Sequence, residues 1–302
     1  MKAYHILYVA GLLAMAACSS EQLTETLAEG VPVRLSGITV PTSVTRTSAS
    51  TTINDGTIAA DQEVKVYQRV HGGAGAFADY IYTTVAGGGM TPPSPAPVYP
   101  LSGATIDIRA YTPTSAASGS FTVSDNQTTL PGYIASDLLW AILDDQERSE
   151  EAVVLNFEHK MSKFIVNVTA GNGVSQINSV TLLSVKPTVT FDPVTGGVGE
   201  ASGEPIGITM VTEGTAATAT GVALLPEQTY TDADLLAIGV TLADDETTAT
   251  AVYHVGSRKF DAGSYCTLNL GIDYSFLDGI AATGSWSEGG SINVRLRPQQ
   301  NN

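Results

Sequence analysis

Cys18 is the side chain best placed to undergo chemistry. It follows Ala14-Met15-Ala16-Ala17, at the end of an apolar run from Ile6 that is preceded by a single lysine, Lys2. A run this short falls below the ~20 residues that cross a bilayer. It fits a secretory signal peptide over residues 1–17. A cysteine directly after small residues supplies the thiol that lipoprotein export requires. Diacylglycerol is attached to the sulfur, and a peptidase that admits Ala16 and Ala17 then cuts on the amino side. Residues 18–30 are polar and acidic and read as a tether. A lipoprotein carries two or three acyl chains, enough for stable attachment. Once Cys18 is acylated, Cys266 has no partner and no disulfide is expected. Cys266 shares one strand face with Leu268, Leu270 and Ile272, which marks it as a core thiol.

Other reactive constellations are missing from the sequence. His71, His159 and His254 stand without a second ligand at metal-binding spacing. Neither a nucleophile elbow, a phosphate loop nor a dinucleotide fingerprint occurs. Asp144-Asp145 and Asp244-Asp245-Glu246 lack the register of a calcium loop and read as solvated turns. The expectation is therefore a protein with no catalytic residue, no cofactor and no metal, and not an enzyme. With 14 basic against 30 acidic residues and a net charge of −16, nucleic acid is excluded as a partner.

The elements that would position any site are strands. Charged residues make up 15% of the chain, against roughly 25% in an average soluble protein, while the hydrophobic share is 43%. Such a mix excludes disorder, which needs little hydrophobicity and much charge. Val31, Val33 and Leu35 alternate with polar neighbours; at Gly37 the parity reads as switching, so that Ile38 and Val40 continue the apolar face past a bulge. Alternation recurs at Val64/Val66, Tyr80–Val85, Ile106/Ile108/Ala110 and Val153/Leu155/Phe157. Residues 86–100 are rich in Gly and Pro and read as a long surface loop. Asp137 to Leu143 is apolar without alternation, either a fully buried strand or a short helix. From Phe164 the pattern repeats, closing with Ile292, Val294 and Leu296. This is an all-β chain of two antiparallel β-sandwiches in series, residues 31–157 and 158–302.

Several segments taken in order carry a family resemblance. They are the lipoprotein signal, Thr45-Arg46, Ile108-Arg109-Ala110-Tyr111-Thr112-Pro113, and Asp137-Leu138-Leu139-Trp140-Ala141. The run from Leu155 to Val168, with its Phe157-Glu158-His159-Lys160-Met161-Ser162-Lys163 core, is the most specific. Arg258 to Ile272 and Gly284-Ser285-Trp286 complete the set. In this order they resemble the fimbrillin family of Bacteroidota. The resemblance implies Greek-key, transthyretin-like sandwiches and a pilus subunit anchored in the outer membrane through lipid. It also implies an arginine-specific protease that removes an N-terminal strand, and other pilin subunits as partners that refill the emptied groove. Trp140, Phe157, His159 and Lys163 would then serve the fold rather than chemistry.

Applied to this chain, the removable segment is 31–46, with its strand at Val31 to Val40. Arg46 follows that strand within a Thr/Ser-rich stretch that a protease can reach, whereas Arg34 lies inside the strand. Arg46 is thus the expected processing site. Residues 291–296, with Ile292, Val294 and Leu296 on one face, are the candidate donor strand or else complete their own sandwich. Two other readings stay open. One is a monomeric surface lipoprotein that binds glycan or a host ligand, with Tyr67, Tyr80, Tyr82 and Tyr99 as a platform. The other is a tip or anchor subunit.

Overall fold

Val, Ile, Thr and Tyr at every second position, cut by Gly and Pro, fold here as strands. The computed structural model describes residues 30–39, 56–212, 217–243, 247–275, 279–286 and 290–292. In chain order the first strands are β1 (Leu35–Thr39), β2 (Glu63–Val70), β3 (Ala78–Thr84) and β4 (Gly89–Thr91). They continue as β5 (Ile106–Thr112), β6 (Ser120–Thr122), β7 (Leu139–Gln146) and β8 (Val153–His159), with a short helix α1 (Leu130–Ala135) before β7. All of these strands except β6 close a barrel in the order β1-β4-β3-β2-β5-β7-β8. Closure rests on β1, which pairs antiparallel with β4 and parallel with β8.

The remaining strands are β9 (Ser162–Ala170), β10 (Val174–Val185), β11 (Thr188–Asp192), β12 (Gly197–Val198), β13 (Ile206–Thr212) and β14 (Thr218–Leu225). They end with β15 (Gln228–Leu242), β16 (Thr248–Phe260), β17 (Tyr265–Ser275), β18 (Gly279–Trp286) and β19 (Gly290–Ile292). One sheet runs β13-β10-β15-β16, a second β14-β9-β17-β18-β19, and a small third β12-β11-β6. Their side chains share one core that includes Phe164, Leu182, Leu236, Tyr253, Phe260 and Leu268. The barrel has its own core, built on Val33, Leu35, Val66, Tyr82, Ile108 and Phe157.

Residues between β5 and β8 serve both cores. Leu139 and Ala141 face the barrel interior, while Leu138 and Trp140 belong to the other core. A strand buried on both faces has no solvent side to carry polar residues. That is why Asp137 to Ala141 lacks alternation; the strand alternative is the one realised from Leu139 onward, as β7, whose Ile142 is exposed. Trp140 also donates its indole N–H to the Pro193 carbonyl at 2.9 Å.

Four features depart from the sequence reading. The stretch 86–100 is not all surface loop: it contains β4 and buries Met90 and Tyr99. No parity switch occurs at Gly37, because Thr39 is buried and Ile38 is 42% exposed. Pairing is not antiparallel throughout, since β1–β8 and β9–β17 are parallel. Parallel neighbours need long connections, and these pairs span more than one hundred residues, beyond the reach of any local signal. Finally, Asp144 and Asp145 lie in β7 rather than a turn, with Asp144 accepting from the Arg109 guanidinium at 2.6 Å.

Candidate functional site: the strand slot of the barrel

Among the described residues, no group of His, Cys, Asp and Glu is arranged to hold a metal ion. The four tyrosines do not form one platform: Tyr82 and Tyr99 are buried, and Tyr67 packs against Phe77 and Tyr111. Cys266 is half-buried, with burial pushing its thiol pKa up, as suits a packing residue more than a nucleophile.

What the structure does build is a slot. The segment from Val31 to Thr39 lies extended across the barrel wall with strands on both sides. Its first part runs beside residues 97–99: Val33 N–H donates to the Pro97 carbonyl at 2.8 Å, and Tyr99 N–H to the Val31 carbonyl at 2.9 Å. Farther on, Gly37 N–H donates to the Gly88 carbonyl at 2.7 Å, and Thr39 N–H to the Gly56 carbonyl at 3.2 Å. On the opposite edge Val153 N–H donates to the Arg34 carbonyl at 2.9 Å. From there the parallel register runs from Leu35 opposite Val153 to Thr39 opposite Phe157.

Odd positions point inward. Val31, Val33 and Leu35 are 8%, 1% and 2% exposed, over a trough that includes Met90, Leu155 and Phe157. Tyr82 reaches up through this core and donates its hydroxyl to the Val33 carbonyl at 2.8 Å; burial raises its pKa, so the donor proton is retained. Outside, Arg34 is exposed, and its Nη1 donates to the Glu150 carbonyl at 3.2 Å. Burying three aliphatic side chains is worth roughly 5–9 kcal/mol at about 1.5–3 kcal/mol each. A strand held on this scale does not leave by fluctuation while it remains part of the same chain.

Two glycines set the width of the slot. A Cβ on Gly37 would lie 2.6 Å from Met90 Cε and 3.0 Å from Phe157 Cε2. Gly88 has a φ of +83°, and a Cβ there would stand 2.4 Å from the Gly37 carbonyl oxygen. Gly88→Ala therefore drives the turn and β1 apart and should cost about 1–3 kcal/mol. Hydrogen exchange should read this as faster exchange at the Val33 and Leu35 amides, with the β10 amides unchanged.

Of the site residues expected from sequence, Cys18, Arg46, Val294 and Leu296 lie outside the described residues, as do Asp244, Asp245 and Glu246. Ile292 lies in β19, opposite Gly284 at the edge of its sheet. Residues 97–99, a wall of the slot, carry no local strand signal in the sequence beyond the apolar Val98-Tyr99 inside the proline-rich run.

A fimbrillin-like family model matches residues 45–286. No curated protein matches the sequence. The fold is similar to the crystal structure of a candidate cell adhesion protein from Bacteroides uniformis, at 20% identity, over 85% of this chain and 97% of that one, with a TM-score of 0.56. It is also similar to a candidate cell adhesion protein from Bacteroides ovatus, at 16% identity, over 90% of this chain and 99% of that one, with a TM-score of 0.58. These two structures speak for the fold, and the family model for the lineage. The chain belongs to the fimbrillin-like family, whose members are structural, non-enzymatic proteins of fimbriae and cell adhesion.

Proposed function

We propose that this chain is a structural subunit of a cell-surface pilus, exported as a lipoprotein through Cys18, cut after Arg46 and polymerised by β-strand exchange. The observation that carries the reading is the slot itself. β1 closes the barrel through backbone ladders on both edges and an apolar inner face, and it lies just ahead of Arg46 in the chain. Removing it leaves unpaired N–H and C=O groups above an apolar trough, which another strand of alternating pattern satisfies. The partners are other pilin subunits, an arginine-specific protease and, before processing, the outer membrane.

A ladder of SDS-resistant oligomers in outer-membrane extracts supports this reading. A single monomer band that is retained on glycan columns overturns it in favour of a monomeric binder. The anchor has its own prediction. Cys18→Ser removes the acylated sulfur, so the protein should shift from the detergent phase to the aqueous phase, or keep its signal peptide uncleaved. Unchanged detergent partitioning would end the lipoprotein assignment.

A further inference from the structure

The strand that fills the slot has a near copy elsewhere in the same chain. Val31-Pro32-Val33-Arg34-Leu35-Ser36 is matched by Ile292-Asn293-Val294-Arg295-Leu296-Arg297, with Val-Arg-Leu identical in both. The shared triplet is also the part of the segment 31–39 that the barrel grips most closely. Val33 and Leu35 are its most buried aliphatic side chains, and Arg34 reaches the Glu150 carbonyl.

Resting on the strand-exchange reading above, we infer that the donor is a second copy of this chain, and that its Val294-Arg295-Leu296 takes the places of Val33-Arg34-Leu35. Ile292 then fills the position of Val31, and Arg295 is placed to repeat the bond to Glu150.

The slot admits this register and rejects its neighbours. An odd shift turns Arg295 and Arg297 toward the apolar trough, because strand side chains alternate with a period of two. Advancing the donor by two residues puts Leu296 on the site of Gly37, where even a Cβ meets Met90, Ile58 and Phe157 at 2.6–3.0 Å. Retreating by two puts Pro298 on the site of Leu35, between Met90 of β4 and Val153 of β8. A proline there removes a ladder donor in mid-strand. In the proposed register Pro298 falls instead at Gly37, whose N–H donates to the Gly88 carbonyl. Proline lacks that N–H and its own Cβ does not fit there either, so the inserted strand ends at Arg297 and the chain leaves the slot at Pro298. Gly37 thus acts as a stop on one side and Pro298 as a stop on the other. The self-match makes this chain a repeating subunit rather than one that only begins or ends a polymer.

Paired cysteines in the full chain test this, with Cys266→Ala as background and an arginine-specific protease supplied. Ser36 faces Val154 across the parallel pair, and Val154 is exposed. Arg297→Cys with Val154→Cys should therefore join copies on mild oxidation at least tenfold more than Arg295→Cys with Val154→Cys. Each double variant is compared with its singles, and the ladder without oxidation reports that assembly is intact. Equal or reversed yields in an intact ladder overturn the register, while strand exchange survives if deleting residues from Ser291 onward still abolishes the ladder. A ladder that forms only after a different pilin is added overturns the self-donor and again leaves exchange standing. Polymers that persist through the deletion overturn both.

Discussion

Arg46→Ala should hold the subunit as a lipid-anchored monomer and abolish the SDS-resistant ladder. The argument is one of competition for the slot. While the chain is intact, β1 is tethered to the barrel that it closes, at an effective concentration on the order of millimolar. A donor from another subunit at about micromolar concentration faces roughly a thousandfold disadvantage for the same backbone groups. The same Val33 and Leu35 that make the strand hard to displace make its severance decisive. Cutting after Arg46 turns an intramolecular competitor into a separate peptide that stays on the Cys18 lipid anchor, so its high effective concentration at the slot is lost. The measurement is a boiled-versus-unboiled gel of surface extracts. Arg34→Ala is the control: it removes the bond to Glu150 but not the cut, and should leave the ladder in place. Normal polymers from Arg46→Ala would rule out cleavage at this residue as the trigger.

Deleting residues from Ser291 onward should have the opposite cause and the same result: a folded, processed subunit that does not polymerise. In the isolated chain β19 is a short strand at the sheet edge, paired with β18 only from Gly284 to Trp286. Losing part of that pairing removes roughly one or two backbone hydrogen bonds and should cost about 1–2 kcal/mol. The melting temperature falls by a few degrees, while assembly is lost. A deletion that instead unfolds the monomer would assign residues 291–296 to the subunit's own sheet. Because the two variants fail on opposite partners, mixing them is informative. The deletion keeps a slot that can be emptied, and Arg46→Ala keeps a donor, so the pair should form heterodimers and nothing longer.

The strands themselves were legible because half-buried strands write a period of two. Val153, Leu155 and Phe157 follow that pattern, and all three fall in β8. The family resemblance around Leu155–Val168 was legible for a similar reason, since those residues occupy β8, β9 and the turn between them. Three things were not. Gly37 reads as a bulge because Ile38 and Val40 are apolar, yet the neighbours that fill the missing Cβ come from Met90, Ile58 and Phe157, all distant in sequence. The slot wall at 97–99 lies in a proline-rich run whose pairing with Val31 and Val33 has no local signature. The parallel partnership of β1 and β8 depends on closure of the whole barrel. Cys18 and Arg46, the proposed reactive positions, rest on chemistry alone, through a thiol after small residues and a basic side chain in a Thr/Ser-rich stretch.

The central claim is that the slot is emptied before the chain assembles. The most direct test is the amino-terminal sequence of the subunit in polymers isolated from the cell surface. The account predicts Thr47 as the first residue, with the segment 31–46 absent. Polymers whose subunits begin at an acylated Cys18, with Val31 to Thr39 still attached, would contradict it.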